Sequence, residues 1–102
     1  MQDFITSRRE EIAELCRKHH VRRLAVFGSA VRDDFDPARS DVDVLVEFEP
    51  IESDLYFDNK SDLLDGLTLA FGRKVDLLTW KSLDSPYFIH EIESTQELLY
   101  AA

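Results

Sequence analysis

The chain has 102 residues, of which 44% are hydrophobic and 32% are charged, a balance typical of a folded domain and not of a disordered chain. Domains commonly contain about 100–200 residues, so residues 1–102 are expected to form one domain. The net charge of −9 argues against a nucleic-acid binder, which needs basic surface, and is compatible with a basic protein partner or a cation site. No apolar run approaches the roughly 18 residues of a membrane span, so no membrane association is expected. The single cysteine excludes an internal disulfide and, without a signal peptide, predicts a cytoplasmic location.

The first predicted element is a helix over residues 7–20. Ser7 and Glu10 fit a capping box at its start. Its buried face is expected from four side chains at helical spacing, namely Ile12, Leu15, Cys16 and His19. The thiol of Cys16 is therefore expected to face the core and to be unreactive.

The central part of the chain is predicted to alternate between strands and helices. Residues 22–27 indicate a strand that ends at Gly28, and a short helix or turn is expected to follow. Residues 42–48 are rich in β-branched valine, alternate at their start, and give the strongest strand signal in the chain. From 53 to 71 the leucines recur at helical spacing, and Gly72 lies where a helix C-cap belongs.

The last third of the chain repeats the alternation. Residues 74–79 are predicted to form a third strand, and Ser85-Pro86 is predicted to open a helix. Residues 97–100 are compatible with either a closing strand or a last helical turn. Alternating elements of this kind predict an α/β or α+β fold, in which helices pack on a small sheet.

Two carboxylates interrupt the strongest strand. Asp41 and Asp43 flank Val42, and the two-residue period of a strand directs both to the same face. Neighbouring like charges repel, and a divalent cation such as Mg²⁺ would neutralise them through carboxylate oxygens. Asp76 repeats the pattern in the third strand. Each feature alone is more often a solvated strand end.

Gly28-Ser29 strengthens the interpretation of the carboxylates. Glycine allows close approach of backbone to a phosphate, serine offers a hydroxyl, and the N–H groups of a following helix face an anion. By itself a Gly-Ser pair is only a turn. A strand, Gly-Ser, eleven further residues and then Asp-Val-Asp is a far more specific pattern.

This combined pattern resembles a known family. The runs Val-Phe-Gly-Ser-Ala-Val-Arg at 26–32 and Ser-Asp-Val-Asp-Val-Leu-Val at 40–46 are similar to the signature of the nucleotidyltransferase superfamily of DNA polymerase β. The segment 72–77 is similar to the strand that carries its third carboxylate. Among its members, the minimal nucleotidyltransferases, or MntA-like antitoxins, are most similar. The acidic spacer departs from the pattern at Asp33, where glycine is common.

The resemblance implies a nucleotidyltransferase fold with a small mixed sheet and a Mg²⁺-dependent reaction. Asp41, Asp43 and Asp76 would hold two Mg²⁺ ions, and Asp76 would also accept a proton. Gly28 and Ser29 would hold the triphosphate of ATP. Arg32 would either contact phosphate or pair with the acidic spacer.

The resemblance also implies a partner. Larger transferases of the superfamily carry an added domain that holds the acceptor, and 102 residues are used up by the catalytic core, so the acceptor is expected on a separate protein. Minimal nucleotidyltransferases of this group are antitoxins of type VII HEPN/MNT pairs. They move AMP from ATP to a tyrosine of a HEPN-domain ribonuclease toxin and inactivate it, which implies a hetero-oligomer.

Two other functions remain open from the sequence. A degenerate transferase fold could neutralise its toxin by binding alone, although the presence of all three carboxylates favours the enzyme. A small-molecule transferase, acting on an antibiotic for example, is disfavoured by the missing acceptor domain. Trp80 and Tyr87 would either stack on a base or pack in the core.

Overall fold

The computed structural model describes residues 3–31, 36 and 41–102 of the chain. The short helix α1 precedes a longer helix, and helices and strands then alternate. In chain order the elements are α1 (Asp3–Thr6), α2 (Arg9–Lys18), β1 (Val21–Phe27), a 3₁₀ turn (Gly28–Ala30), β2 (Val42–Phe48), α3 (Ser53–Phe71), β3 (Val75–Thr79), a second 3₁₀ turn (Trp80–Ser82), α4 (Pro86–Thr95) and β4 (Glu97–Ala101). No helix in the described ranges has the length and apolar character needed to cross a membrane.

The four strands form one mixed sheet in the order β3-β2-β1-β4. β1 pairs antiparallel with both β2 and β4, whereas β2 and β3 are parallel. A parallel pair requires a long crossover, and α3 provides it between β2 and β3. The predicted α+β fold with helices on a small mixed sheet is confirmed.

Both faces of the central strands are covered, which explains their nearly continuous apolar sequence. The larger core lies between the sheet and the helices α2 and α3. Its members include Ile12, Cys16, Leu24, Val26, Val42, Val44, Val46, Leu63, Leu67, Val75 and Leu77. A smaller cluster on the opposite face contains Phe27, Leu45 and Ile92 of α4. Alternate residues of β2 therefore point to different cores. Asp43 lies on the same face of the strand as Leu45, and Val44 lies on the opposite face.

The first helical region differs from its prediction. Residues 3–6 form the separate turn α1 with Ile5 buried, and the hydroxyl of Ser7 donates back to the carbonyl of Phe4 at 3.5 Å. The predicted capping box is therefore wrong, because α2 begins at Arg9 after an Arg8 cap without a side-chain hydrogen bond. The predicted burial of Cys16 is confirmed, and burial raises the pKa of its thiol to about 12.

The later helices begin where the sequence predicts. α3 spans Ser53–Phe71, and Gly72 ends it with a φ of +67° while its amide donates to the Thr68 carbonyl. The hydroxyl of Ser85 accepts from the amide of Phe88 at the start of α4. The chain ends in β4, so the closing segment is a strand and not a helical turn.

Candidate functional site

The Gly-Ser turn follows directly from the end of β1. Gly28 has a φ of +69°, in the left-handed region that favours glycine, and the amide of Val31 donates to its carbonyl at 3.1 Å. A Cβ atom at Gly28 would lie only 2.8 Å from Oδ2 of Asp43. The glycine is therefore required both by the backbone conformation and by the close approach of this carboxylate.

Strand register aligns the turn with two of the predicted carboxylates. Phe27, which precedes Gly28, is the register partner of Asp43 on β2. Asp43 is in turn the register partner of Asp76 on the parallel strand β3. Side chains at paired positions share a face, so Asp43 and Asp76 lie side by side at one end of the sheet. Asp43 is half-buried and Asp76 is exposed.

Asp41 lies immediately before β2 and has a basic neighbour. Nζ of Lys74 lies 3.7 Å from its Oδ2, with the lysine side chain 79% and the aspartate side chain 41% exposed. The backbone holds the two together, because the amide of Val42 donates to the Lys74 carbonyl at 3.0 Å. An exposed pair of this kind contributes roughly 0–1 kcal/mol, so a competing cation could displace the lysine.

The acidic cluster offers oxygen ligands, the donor type that suits a hard divalent cation such as Mg²⁺. Asp43 and Asp76 are adjacent through the strand register, and Asp41 is two residues from Asp43. Within the described ranges no group of three or more His, Cys, Asp or Glu side chains is already arranged to hold a metal. The donor chemistry therefore fits a cation, while the side chains would have to converge to bind it.

The other basic and aromatic candidate residues lie outside this acidic cluster. Arg32 lies outside the described residues, so its phosphate role stays a prediction. The guanidinium of Arg73 lies 4.3 Å from the ring centre of Phe4 and so packs against α1. Trp80 follows the far end of β3, away from the carboxylates. Tyr87 is exposed at the start of α4.

Sequence reasoning missed two neighbours of the site. Lys74 lies beside Asp41, and the ring of Phe88 packs edge-on against Phe27 with centroids 5.9 Å apart, bringing α4 next to the Gly-Ser turn. The contact of Lys74 with Asp41 follows from the parallel register of β2 and β3. These strands are separated in the chain by a whole helix, so no local sequence pattern indicates their register. The aromatic contact had only the weak signal of an apolar position near the start of a predicted helix.

The class of protein is defined by a comparison that covers most of the chain. Residues 9–98 match the nucleotidyltransferase domain family. The chain belongs to this family and is a nucleotidyltransferase. The match spans both the Gly-Ser turn and all three aspartates.

Individual relatives within the family are also similar to this chain. A Methanocaldococcus jannaschii protein named as a candidate protein adenylyltransferase is 36% identical over 98 residues, covering 88% of this chain and 94% of the relative. The protein adenylyltransferase MntA of Thermococcus cleftensis is 38% identical over 85 residues, covering 83% and 79% of the two chains. Both similarities cover more than three quarters of each protein compared.

Solved structures share the fold. A candidate minimal nucleotidyltransferase is 28% identical with a TM-score of 0.74, covering 94% of this chain and 95% of that one. A toxin–antitoxin crystal structure with AMP-PNP gives a TM-score of 0.67 at 20% identity, covering 92% and 73%. A complex of tri-AMPylated Shewanella oneidensis HEPN toxin with its MNT antitoxin gives 0.62 at 18% identity, covering 96% and 73%. The last two similarities are evidence of fold alone.

Proposed function

We propose that this nucleotidyltransferase is the antitoxin of a HEPN/MNT pair and transfers AMP from ATP to a tyrosine of its HEPN-domain toxin, which inactivates the toxin. The relative from Thermococcus cleftensis is named a protein adenylyltransferase, which supports a protein as the acceptor. The similar fold of an antitoxin bound to an AMPylated HEPN toxin supports the class of partner.

The observation that carries the proposal is the row formed by Gly28, Asp43 and Asp76 across three adjacent strands. The Gly-Ser turn lies against one carboxylate, and a second carboxylate lies beside it. Nucleotidyl transfer needs these two functions together, since the triphosphate must be held while the attacking hydroxyl loses its proton.

Asp41, Asp43 and Asp76 would hold Mg²⁺, two ions by analogy with the superfamily. Bound Mg²⁺ would supply the positive charge that offsets the charge of the phosphates during transfer. The donor set fits this assignment because all three side chains offer carboxylate oxygen. Lys74 would have to leave Asp41 for that carboxylate to bind the cation.

Side chains and backbone of this protein would carry out the remaining steps. Gly28 and Ser29 would bind the triphosphate through the turn and the serine hydroxyl, and Arg32 would add a positive charge. Asp76 would accept the proton of the tyrosine hydroxyl. The hydroxyl oxygen then forms a bond to the α-phosphorus, the bond to the bridging oxygen breaks, and pyrophosphate leaves.

Replacing Asp76 by Ala tests the proposal. Asp41 and Asp43 remain to bind the nucleotide through its cation, so ATP–Mg²⁺ affinity should fall only modestly. Transfer should fall about 10²–10⁴-fold, because a positioned base is lost. The assay mixes the variant with ATP, Mg²⁺ and the purified toxin and follows the toxin's mass, while nucleotide binding is measured separately.

Asp65→Ala is the matched control, since Asp65 is an exposed aspartate on α3 away from the row. It removes one negative charge and should leave transfer unchanged. A toxin that gains mass at the wild-type rate with the Asp76 variant would contradict the assignment. Neutralisation of the toxin by the wild-type protein without any mass gain would instead favour the binding-only function.

A further inference from the structure

A second surface lies at the end of the sheet opposite to the carboxylates. An open groove of about 700 Å³ lies where β2 and β3 finish, and we name it the far-end groove. Its apolar lining includes Phe48, Ile51, Tyr56, Phe57 and Trp80. Phe48 is five residues along β2 from Asp43, which corresponds to about 16 Å at roughly 3.3 Å per residue. The groove is therefore separate from the Gly-Ser turn.

Aromatic rings dominate this groove and one of them is unusually exposed. The rings of Phe48 and Tyr56, and those of Tyr56 and Phe57, meet edge to face with centroids 5.6 Å apart in both pairs. Phe57 is 78% exposed although it lies in the first two turns of α3. A contiguous exposed apolar surface, here formed by Phe57 and the rings in contact with it, is typical of an interaction site.

The charges around the groove indicate which partner it fits. Glu49 lines the groove, as does Glu47, which already pairs with Arg22 at 3.3 Å. Glu52 and Asp54 lie beside the lining residues in the chain. Lys81 is the one basic residue in the described lining. Two copies of a chain with a net charge of −9 would repel each other across such a surface. A basic segment would be attracted to it.

We propose that the far-end groove docks a segment of a partner protein that carries arginine or lysine among apolar side chains. The apolar side chains would cover Phe57 and Trp80, and the cationic groups would meet the ring faces and Glu49. The inference extends the proposed function, since a protein substrate docked here would be held away from the reacting groups. The groove would then contribute affinity and specificity without taking part in the reaction.

The test is a titration of the full-length chain with a synthetic peptide of alternating arginine and leucine, without nucleotide. Trp80 is the only tryptophan, so its fluorescence reports on the groove directly. Binding should change Trp80 emission saturably. Phe57→Ala should raise the Kd by at least about tenfold, as expected for an aromatic at the centre of an interface. Glu49→Gln should weaken binding less and reduce its dependence on salt.

Leu69→Ala is the matched control, because Leu69 is an 84% exposed apolar residue of α3 outside the groove lining. It should leave the Kd unchanged, and a peptide with glutamate in place of arginine should not bind. Equal effects of the Leu69 and Phe57 substitutions would overturn the proposal. So would equal binding of the acidic peptide, or a wild-type dimer that Phe57→Ala dissociates. No nucleotide is present, so these results are independent of whether the chain transfers AMP.

Discussion

Gly28→Ala tests whether the turn after β1 sets the position of the Asp43 carboxylate. Gly28 has a φ of +69°, and a residue with a Cβ costs about 1–2 kcal/mol in this region. The new Cβ would also lie 2.8 Å from Oδ2 of Asp43. An ordinary contact begins near 3.4 Å, so the carboxylate would have to move by about 0.6 Å.

Two consequences of this substitution can be measured separately. The backbone cost should lower the melting temperature by roughly 4–8 °C for each kcal/mol, as seen in domains of this size. The displaced carboxylate should lower transfer further. Misplacement of a reacting group by about 1 Å costs about 10²-fold, so a shift of 0.6 Å predicts a loss of at least about tenfold. Thermal unfolding gives the first quantity, and the rate of toxin modification below the melting temperature gives the second.

Gly72→Ala is the matched control within the same chain. Gly72 has a φ of +67°, and no atom lies within 4 Å of a Cβ built there. The control should lose similar stability and keep its transfer rate. If both variants lost transfer equally, the effect would arise from stability and the proposed link between Gly28 and Asp43 would be refuted.

Three further results are expected. Asp41→Asn and Asp43→Asn should each abolish transfer, because each removes a cation ligand. Without metal, relief of like-charge repulsion should leave the melting temperature of either variant unchanged or higher. Transfer at the wild-type rate by either variant would contradict the assignment. Ser29→Ala should weaken ATP binding by at least about tenfold, since a hydrogen bond to a charged group contributes roughly 1.5–3 kcal/mol; calorimetry that finds equal affinity would return Ser29 to a purely structural role. Cys16 has a folded-state pKa of about 12 against an ordinary value of 9.0. Over this range the folded state holds the thiol proton that the unfolded state loses, so the free energy of unfolding should fall as pH rises from about 9 to 12. Denaturant unfolding of Cys16→Ala should show a smaller decrease over the same pH range.

The sequence by itself determined the elements whose signals are local. The β-branched run of β2 and the leucine spacing of α3 predict both elements with the bounds that the structure has, and the φ of Gly72 agrees with its predicted C-cap. The Gly-Ser and Asp-Val-Asp pattern likewise identified the family, because its residues are close in sequence and their spacing is specific. Burial of Cys16 followed from helical periodicity alone.

Tertiary structure decided the features that depend on contacts between distant segments. Ser7 bonds back to α1 because that turn packs its own Ile5 into the core, so the predicted capping box does not form. The closing segment becomes β4 because the edge of β1 is available to pair with it, an outcome that the segment's own sequence left open. Asp76 meets Asp43 only through the parallel register of β2 and β3, which the α3 crossover sets. Register between such strands depends on the packing of the crossover helix against the whole sheet, and no local pattern of residues carries that information.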